Sequence, residues 1–182
     1  MHNYEDIENI VDRYALEYLG ESFQFRKYQK EAIIDIILNI LNHEHRNYIV
    51  EAPTGSGKSI INILSAFILA KEYKLTSYIL VSDLFLWEQY ESFLKKHDKI
   101  TMPLLKGQTG NYICEINNQD IKNADCRMAS VSWPSLFTAA GIEKNGYTCA
   151  YNCEYVKARK RAVMSDTCVM TYQLFICLYF NW

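Results

Sequence analysis

Apolar positions along the chain fall into two rhythms, one of helical period and one of short buried runs. Ile7, Ile10, Val11, Tyr14, Leu16, Tyr18 and Leu19 recur at about helical spacing up to Gly20, which predicts a short amphipathic helix. A second helix is predicted over residues 30–42, with Ala32, Ile33, Ile36, Ile37, Ile40 and Leu41 on its buried side. Residues 47–50, Asn-Tyr-Ile-Val, are short and apolar, as a buried parallel strand would be; residues 60–73 have the length and spacing of a helix. Residues 76–82 predict another buried strand, and residues 83–96 a helix with Leu84, Trp87, Tyr90 and Leu94 inward. This order makes a right-handed βαβ unit on a parallel sheet, whose ligands belong at the carboxyl ends of the strands. From residue 104 the rhythm breaks for about forty residues, then resumes with a helix over 154–164, a strand over 167–171 and a helix or buried run over 174–179.

Between the strand at 47–50 and the helix that follows it lies Glu51-Ala52-Pro53-Thr54-Gly55-Ser56-Gly57-Lys58-Ser59. Gly55 and Gly57 allow successive backbone N–H groups to turn inward at the positive end of a helix dipole, the arrangement that cradles a phosphate. Lys58 would place a cation on the β- and γ-phosphates, and the Ser59 hydroxyl is a hard-oxygen ligand for a bridging Mg²⁺. Lys58 and Ser59 are therefore the candidate catalytic residues, and Pro53, Thr54, Gly55, Ser56 and Gly57 complete the candidate ATP-binding loop. Ala52 stands where the full phosphate-loop pattern has its first glycine.

Composition narrows the class only a little. At 182 residues, 49% apolar and 22% charged, the chain is an ordinary globular sequence with a net charge of −2, so a nucleic-acid partner would have to be met by a local basic patch. The amino terminus lacks the features of a secretory signal, and no apolar run is long enough to span a bilayer. These features predict a reducing, cytoplasmic or nuclear setting and no membrane partner. Cys168 and Cys177 sit in apolar runs and read as core thiols; Cys114, Cys126, Cys149 and Cys153 fall in the irregular stretch. Their separations of eleven, twenty-two and three residues are not those of a zinc ribbon, so spacing leaves a cluster, zinc or no metal open. Lys157, Arg159, Lys160 and Arg161 form the main basic cluster, either a phosphate contact or a solvated helix end. The Ser82-Asp83 pair at the end of the second strand is either a phosphate contact or a helix cap.

Specific segments carry a resemblance. Ala52-Pro53-Thr54-Gly55-Ser56-Gly57-Lys58-Ser59 resembles the phosphate loop of superfamily 2 helicases, and Phe25-Arg26-x-x-Gln29 resembles the segment with which those proteins read adenine. Arg26 and Gln29 are thereby added to the candidate cofactor-binding residues; a glutamine amide can both donate to and accept from the adenine edge. Lys106-Gly107, Asn111-Tyr112-x-Cys114, Cys149 and Cys153-Glu154-Tyr155-x-x-Ala158-Arg159 resemble the insertion of iron-sulfur helicases of the XPD and DinG type. That resemblance covers about residues 22–175 and implies a [4Fe-4S] cluster on Cys114, Cys126, Cys149 and Cys153, with zinc as the alternative.

The expected architecture is then α/β: a partial RecA-like P-loop NTPase with a parallel sheet, helices on both faces and a cysteine-rich insertion. It divides into an N-terminal helix (1–22), a motor core (23–104), the insertion (105–153) and a return to the core (154–182). The resemblance implies an ATP-dependent DNA helicase moving 5′ to 3′ on single-stranded or forked DNA. No DEAH-type acidic box and no second motor domain occur in the sequence, so the expectation is an amino-terminal part, truncated or split, complemented by a second chain. The competing expectation is a non-catalytic P-loop fragment that binds nucleotide or DNA.

Overall fold

The computed structural model describes residues 2–42, 47–107, 111–114, 118–123 and 153–179. The elements are α1 (Tyr4–Tyr14), a π-helical turn (Ala15–Leu19), α2 (Gln29–Leu41), α3 (Lys58–Tyr73), β1 (Ser77–Val81), α4 (Leu84–Lys96), β2 (Leu104–Leu105), a 3₁₀ turn (Ile121–Asn123), α5 (Glu154–Val163), β3 (Thr167–Thr171) and α6 (Tyr172–Tyr179).

Asn3 caps α1 by accepting from Asp6 N at 2.8 Å, and Gly20 ends the π-helical turn at φ 96°, a left-handed conformation that glycine adopts without steric cost. The π turn adds a residue to the helical repeat, and Leu16, expected on the inner face, is exposed. Polar ties fix α1 against its neighbours. Arg13 and the Tyr14 hydroxyl both donate to Glu72 of α3 at 2.7 Å, and Lys30 of α2 lies 2.8 Å from both Glu8 and Asp12.

Among the described residues the sheet has three parallel strands in the order β1-β3-β2, with Ser77 opposite Thr167, Val81 opposite Thr171 and Leu104 opposite Val169. All five residues of β3 are buried, as a central parallel strand covered on both faces requires. Side chains alternate across the sheet. Ile79, Val81, Val169 and Leu104 join the main core with α1, α2, α3 and α4, where Phe67, Ile63, Leu64 and Ile68 are almost fully buried. Tyr78, Leu80, Leu105, Cys168 and Met170 face a second cluster with Tyr155 and Ala162 of α5 and Leu174, Phe175 and Leu178 of α6. Helices thus cover both faces of the sheet, as expected for the α/β class. No helix among the described residues is long and apolar enough to cross a membrane.

Two expectations about strands are corrected. Residues 47–50 form no strand: Ile49 is 90% exposed and Tyr48 and Val50 are also exposed. A strand needs a hydrogen-bonding neighbour, and among the described residues β1 and β2 pair only with β3, so the β-branched composition joins no ladder there. Conversely, Leu104–Leu105, read from sequence as the edge of the irregular stretch, is a short strand on β3, and Val169 N donates to Pro103 O at 2.9 Å just before it. The inner faces of two helices are also narrower than expected, since Leu84 and Ile40 are exposed.

Removing the buried side chain in Ile63→Ala should lower the unfolding free energy by about 2–5 kcal/mol, whereas Ile49→Ser should change it by less than about 0.5 kcal/mol. Urea denaturation of the two variants checks this, and comparable losses would place residues 47–50 in the core after all.

Candidate functional site

The phosphate-loop sequence folds as an exposed turn leading into α3. Ser56 N donates to Pro53 O at 3.3 Å, and Gly55 and Gly57 take φ of 83° and 85°. Gly57 is the N-cap of α3 and has no side chain to bond the first turn, so the Lys58 and Ser59 N–H groups at its head can meet an anion. Its carbonyl accepts from Ile60 N at 3.0 Å, which starts the helix. Lys58 is exposed, and its ammonium donates to Ala52 O at 2.9 Å and Pro53 O at 3.0 Å, closing the loop on itself. Ser56 Oγ is buried without a hydrogen-bond partner.

Arg26 and Gln29 meet this loop directly. The Arg26 guanidinium donates to Gly55 O, and Arg26 N donates to Gln29 Oε1 at 2.7 Å. Gln29 Nε2 donates to Ser56 O at 2.8 Å, with Gly57 O at 3.4 Å. Between them Tyr28 adopts a left-handed φ of 65°, holds its ring outward and carries Lys27 Nζ 4.7 Å from the ring centroid. The structure therefore brings together Arg26, Gln29 and residues 53–58 of the predicted set.

Ser59 leads to a residue that sequence patterning had placed only in the core. The buried Tyr90 hydroxyl of α4 accepts from Asn62 Nδ2 at 2.9 Å and interacts with the Ser59 side chain. Burial raises its ionisation above the usual phenol range, partly offset by those two hydrogen-bonding side chains. The sequence signal was available: a tyrosine at an inward helix position needs a partner for its hydroxyl, and Ser59 and Asn62 lie on one face of the preceding helix. Nearer the start of α4, Lys106 places its ammonium 4.2 Å from the Trp87 ring centroid, pinning the start of the irregular stretch to this helix.

At the end of β1 the capping alternative holds. Asp83 Oδ1 accepts from Leu86 N at 2.9 Å and Oδ2 from the Ser82 hydroxyl at 2.7 Å; these bonds, the Leu86 amide foremost, hold the carboxyl below the ordinary carboxylate range. In the basic cluster of α5, Lys157 and Arg161 approach Glu154 at 3.2 and 4.0 Å, while Lys160 is exposed.

Cys126 and Cys149 lie outside the described residues. Cys114 and Cys153 are half-buried free thiols, and both pack against the second apolar cluster beside Tyr112 and Tyr155. Among the described residues no group of three or more His, Cys, Asp or Glu comes together. Cys168 is a core thiol as expected, pushed up to about 12 by burial. Cys177 is not: α6 turns Leu174, Phe175 and Leu178 onto the sheet, which leaves Cys177 exposed.

A parallel sheet covered on both faces, with a Gly-x-Gly-Lys-Ser turn at the head of α3, defines an α/β domain carrying a phosphate-loop motif. Residues 22–173 match the family described as the res subunit of type III restriction enzymes, and the chain belongs to that family. It is 27% identical over 179 residues to a Methanocaldococcus jannaschii protein named "Probable ATP-dependent helicase", covering 87% of this chain and 26% of that protein. It is 36% identical over 81 residues to an inferred helicase of Sulfolobus islandicus filamentous virus, covering 43% of this chain and 14% of the viral protein. The chain thus spans about a quarter or less of the length of these relatives.

Thiolate is the reactive form of cysteine, so a neutral-pH alkylating reagent should label Cys177 readily and Cys168 only after unfolding. Mass spectrometry of native and urea-treated protein checks the order, and native labelling of Cys168 would contradict the buried β3.

Proposed function

We propose that the chain is the nucleotide-binding part of an ATP-dependent helicase. The observation that carries this reading is the Gly57-capped start of α3, with Lys58 beside it and the loop braced by Arg26 and Gln29. Residues 53–59 would hold the triphosphate. The N–H groups at the head of α3 would meet its charge, and the Lys58 ammonium would exchange Ala52 O and Pro53 O for phosphate oxygens.

Mg²⁺, when bound, would neutralise charge developing on the phosphates. Ser59 fits the role of its ligand, since its hydroxyl is a hard-oxygen donor on the first turn of α3 beside Lys58. Single-stranded DNA would lie across the carboxyl ends of β1 and β3, near the exposed Phe85 and Tyr172, whose rings offer stacking faces. No Asp-Glu pair follows an apolar strand in residues 1–182, so none of these residues is assigned to activating the attacking water.

The finer assignment is to the iron-sulfur helicases of the XPD and DinG type, with 5′ to 3′ movement. Its support is the resemblance of the Cys114 and Cys153 segments. Cys126 and Cys149 would supply the remaining ligands.

Lys58→Ala should weaken ATP–Mg²⁺ binding by about 10–100-fold, the loss of one strong charge-assisted contact. Isothermal titration of both proteins measures it, and equal affinities would remove the loop from the nucleotide site. Single-stranded DNA should leave ATP turnover by the isolated chain slow; brisk turnover would mean that water activation resides within residues 1–182. Anaerobically purified protein should be brown and lose its colour in Cys114→Ser, whereas colourless protein containing stoichiometric zinc would favour the zinc alternative.

A further inference from the structure

α4 turns Trp87, Tyr90 and Leu94 into the core, and Tyr90, at 5% exposure, carries a hydroxyl in with it. A desolvated hydroxyl needs a partner. Both of its partners come from α3: Asn62 Nδ2 donates to the phenol oxygen at 2.9 Å, and the Ser59 side chain lies within hydrogen-bonding reach of it. Ser59 and Asn62 are three residues apart and so share one face of the helix. A single phenol therefore ties together the first two turns of α3.

Asn62 alone would satisfy the buried hydroxyl, so the contact with Ser59 is more than packing requires. Its consequence falls on the serine. Unrestrained, so short a side chain in the first turn of a helix is shared among staggered rotamers. The Tyr90 ring is clamped in the core and its oxygen is anchored by Asn62, which makes it a fixed point against which Oγ is held. Whichever hydroxyl donates, Ser59 Oγ keeps a lone pair for a cation. A ligand ordered by an outer partner binds metal more tightly than a free one, because its ordering precedes the metal's arrival.

We propose that Tyr90 is a positioning residue for Ser59: the Asn62-anchored phenol holds the Ser59 hydroxyl in one orientation, ready as a ligand to the Mg²⁺ that accompanies a bound triphosphate. This rests on the reading of residues 53–59 as a triphosphate site. Tyr90 acts through the metal ligand and not on the phosphates, so metal-free nucleotide is indifferent to it.

Calorimetric titration of ATP, with Mg²⁺ or with EDTA in its place, into the wild-type chain, Tyr90→Phe, Ser59→Ala and the double variant provides the test. The quantity read is the gain in affinity that Mg²⁺ confers. Tyr90→Phe keeps the ring and removes the hydroxyl; it should cut that gain about tenfold, the scale on which a partner that orients a metal ligand acts, and leave metal-free binding as in the wild type. Ser59→Ala should cut the gain at least as far. The double variant should lose no more than Ser59→Ala, since Tyr90 acts only through Ser59. Equal losses with and without Mg²⁺ would expose a packing effect and overturn the proposal, as would an unchanged gain or losses that add in the double variant. Should Tyr90→Phe not fold, Asn62→Ala at an exposed position reads the same gain: freeing the phenol's anchor should lower it a few-fold, and an unchanged gain would again overturn it. Wild-type protein that binds ATP equally well with and without Mg²⁺ has no metal ligand to position, which also overturns it. Failure of the wild type to bind ATP under either condition would instead refute the triphosphate site, and this role of Tyr90 with it.

Discussion

Among the described residues β1 and β2 share no ladder; each pairs with β3, which lies between them and is buried along its whole length. The sheet therefore depends on a segment far along the chain inserting between two strands laid down earlier. Val169 on one face completes the core that backs α3, and Cys168 and Met170 on the other seat α5 and α6. A phosphate loop is useful only if the helix behind it is rigid. The rigidity of α3 rests on its apolar contacts with the sheet and on the α1 and α2 side chains packed against it. Long-range parallel pairing of this kind closes its loops before contacts repay the entropy, a topology associated with slow folding.

The exposed loop is braced from the start of α2 and the turn before it. Arg26 at the rim and Gln29 beneath it engage consecutive carbonyls, of Gly55 and Ser56. On the other side Tyr90 links α4 to Asn62 and Ser59 in the first turns of α3. The head of α3 is thereby contacted from two directions: by α2, through the loop that precedes it, and by α4, which begins at the carboxyl end of β1 and carries Trp87 against Lys106.

Much of this was legible in sequence because period and punctuation agreed. β3 was located at residues 167–171 from five consecutive strand-favouring positions, and α4 from inward Trp87, Tyr90 and Leu94 behind a capping Asp83. The glycine pattern marked the turn into α3 before any contact was known. Residues 47–50 misled because β-branched composition describes a surface to be packed, and the packing has to be provided by a neighbouring strand. Leu104–Leu105 was missed because a two-residue strand carries no period. Gln29 was expected beside the loop from its place ahead of it, but its orientation beneath Ser56 and Gly57 depends on contacts that no spacing encodes. Cys177 shows how an apolar run conceals its outward positions when a short helix is buried along one side only.

Tyr48, Ile49 and Val50 combine strongly β-prone side chains with a backbone that joins no ladder among the described residues. Water must satisfy the amides and carbonyls of such a run, and any extended chain that approaches can replace that water and cover the apolar side chains at once. For the isolated protein this makes the approach to its phosphate loop a nucleation point for clumping in concentrated solution, directly beside the residues on which ligand capture depends.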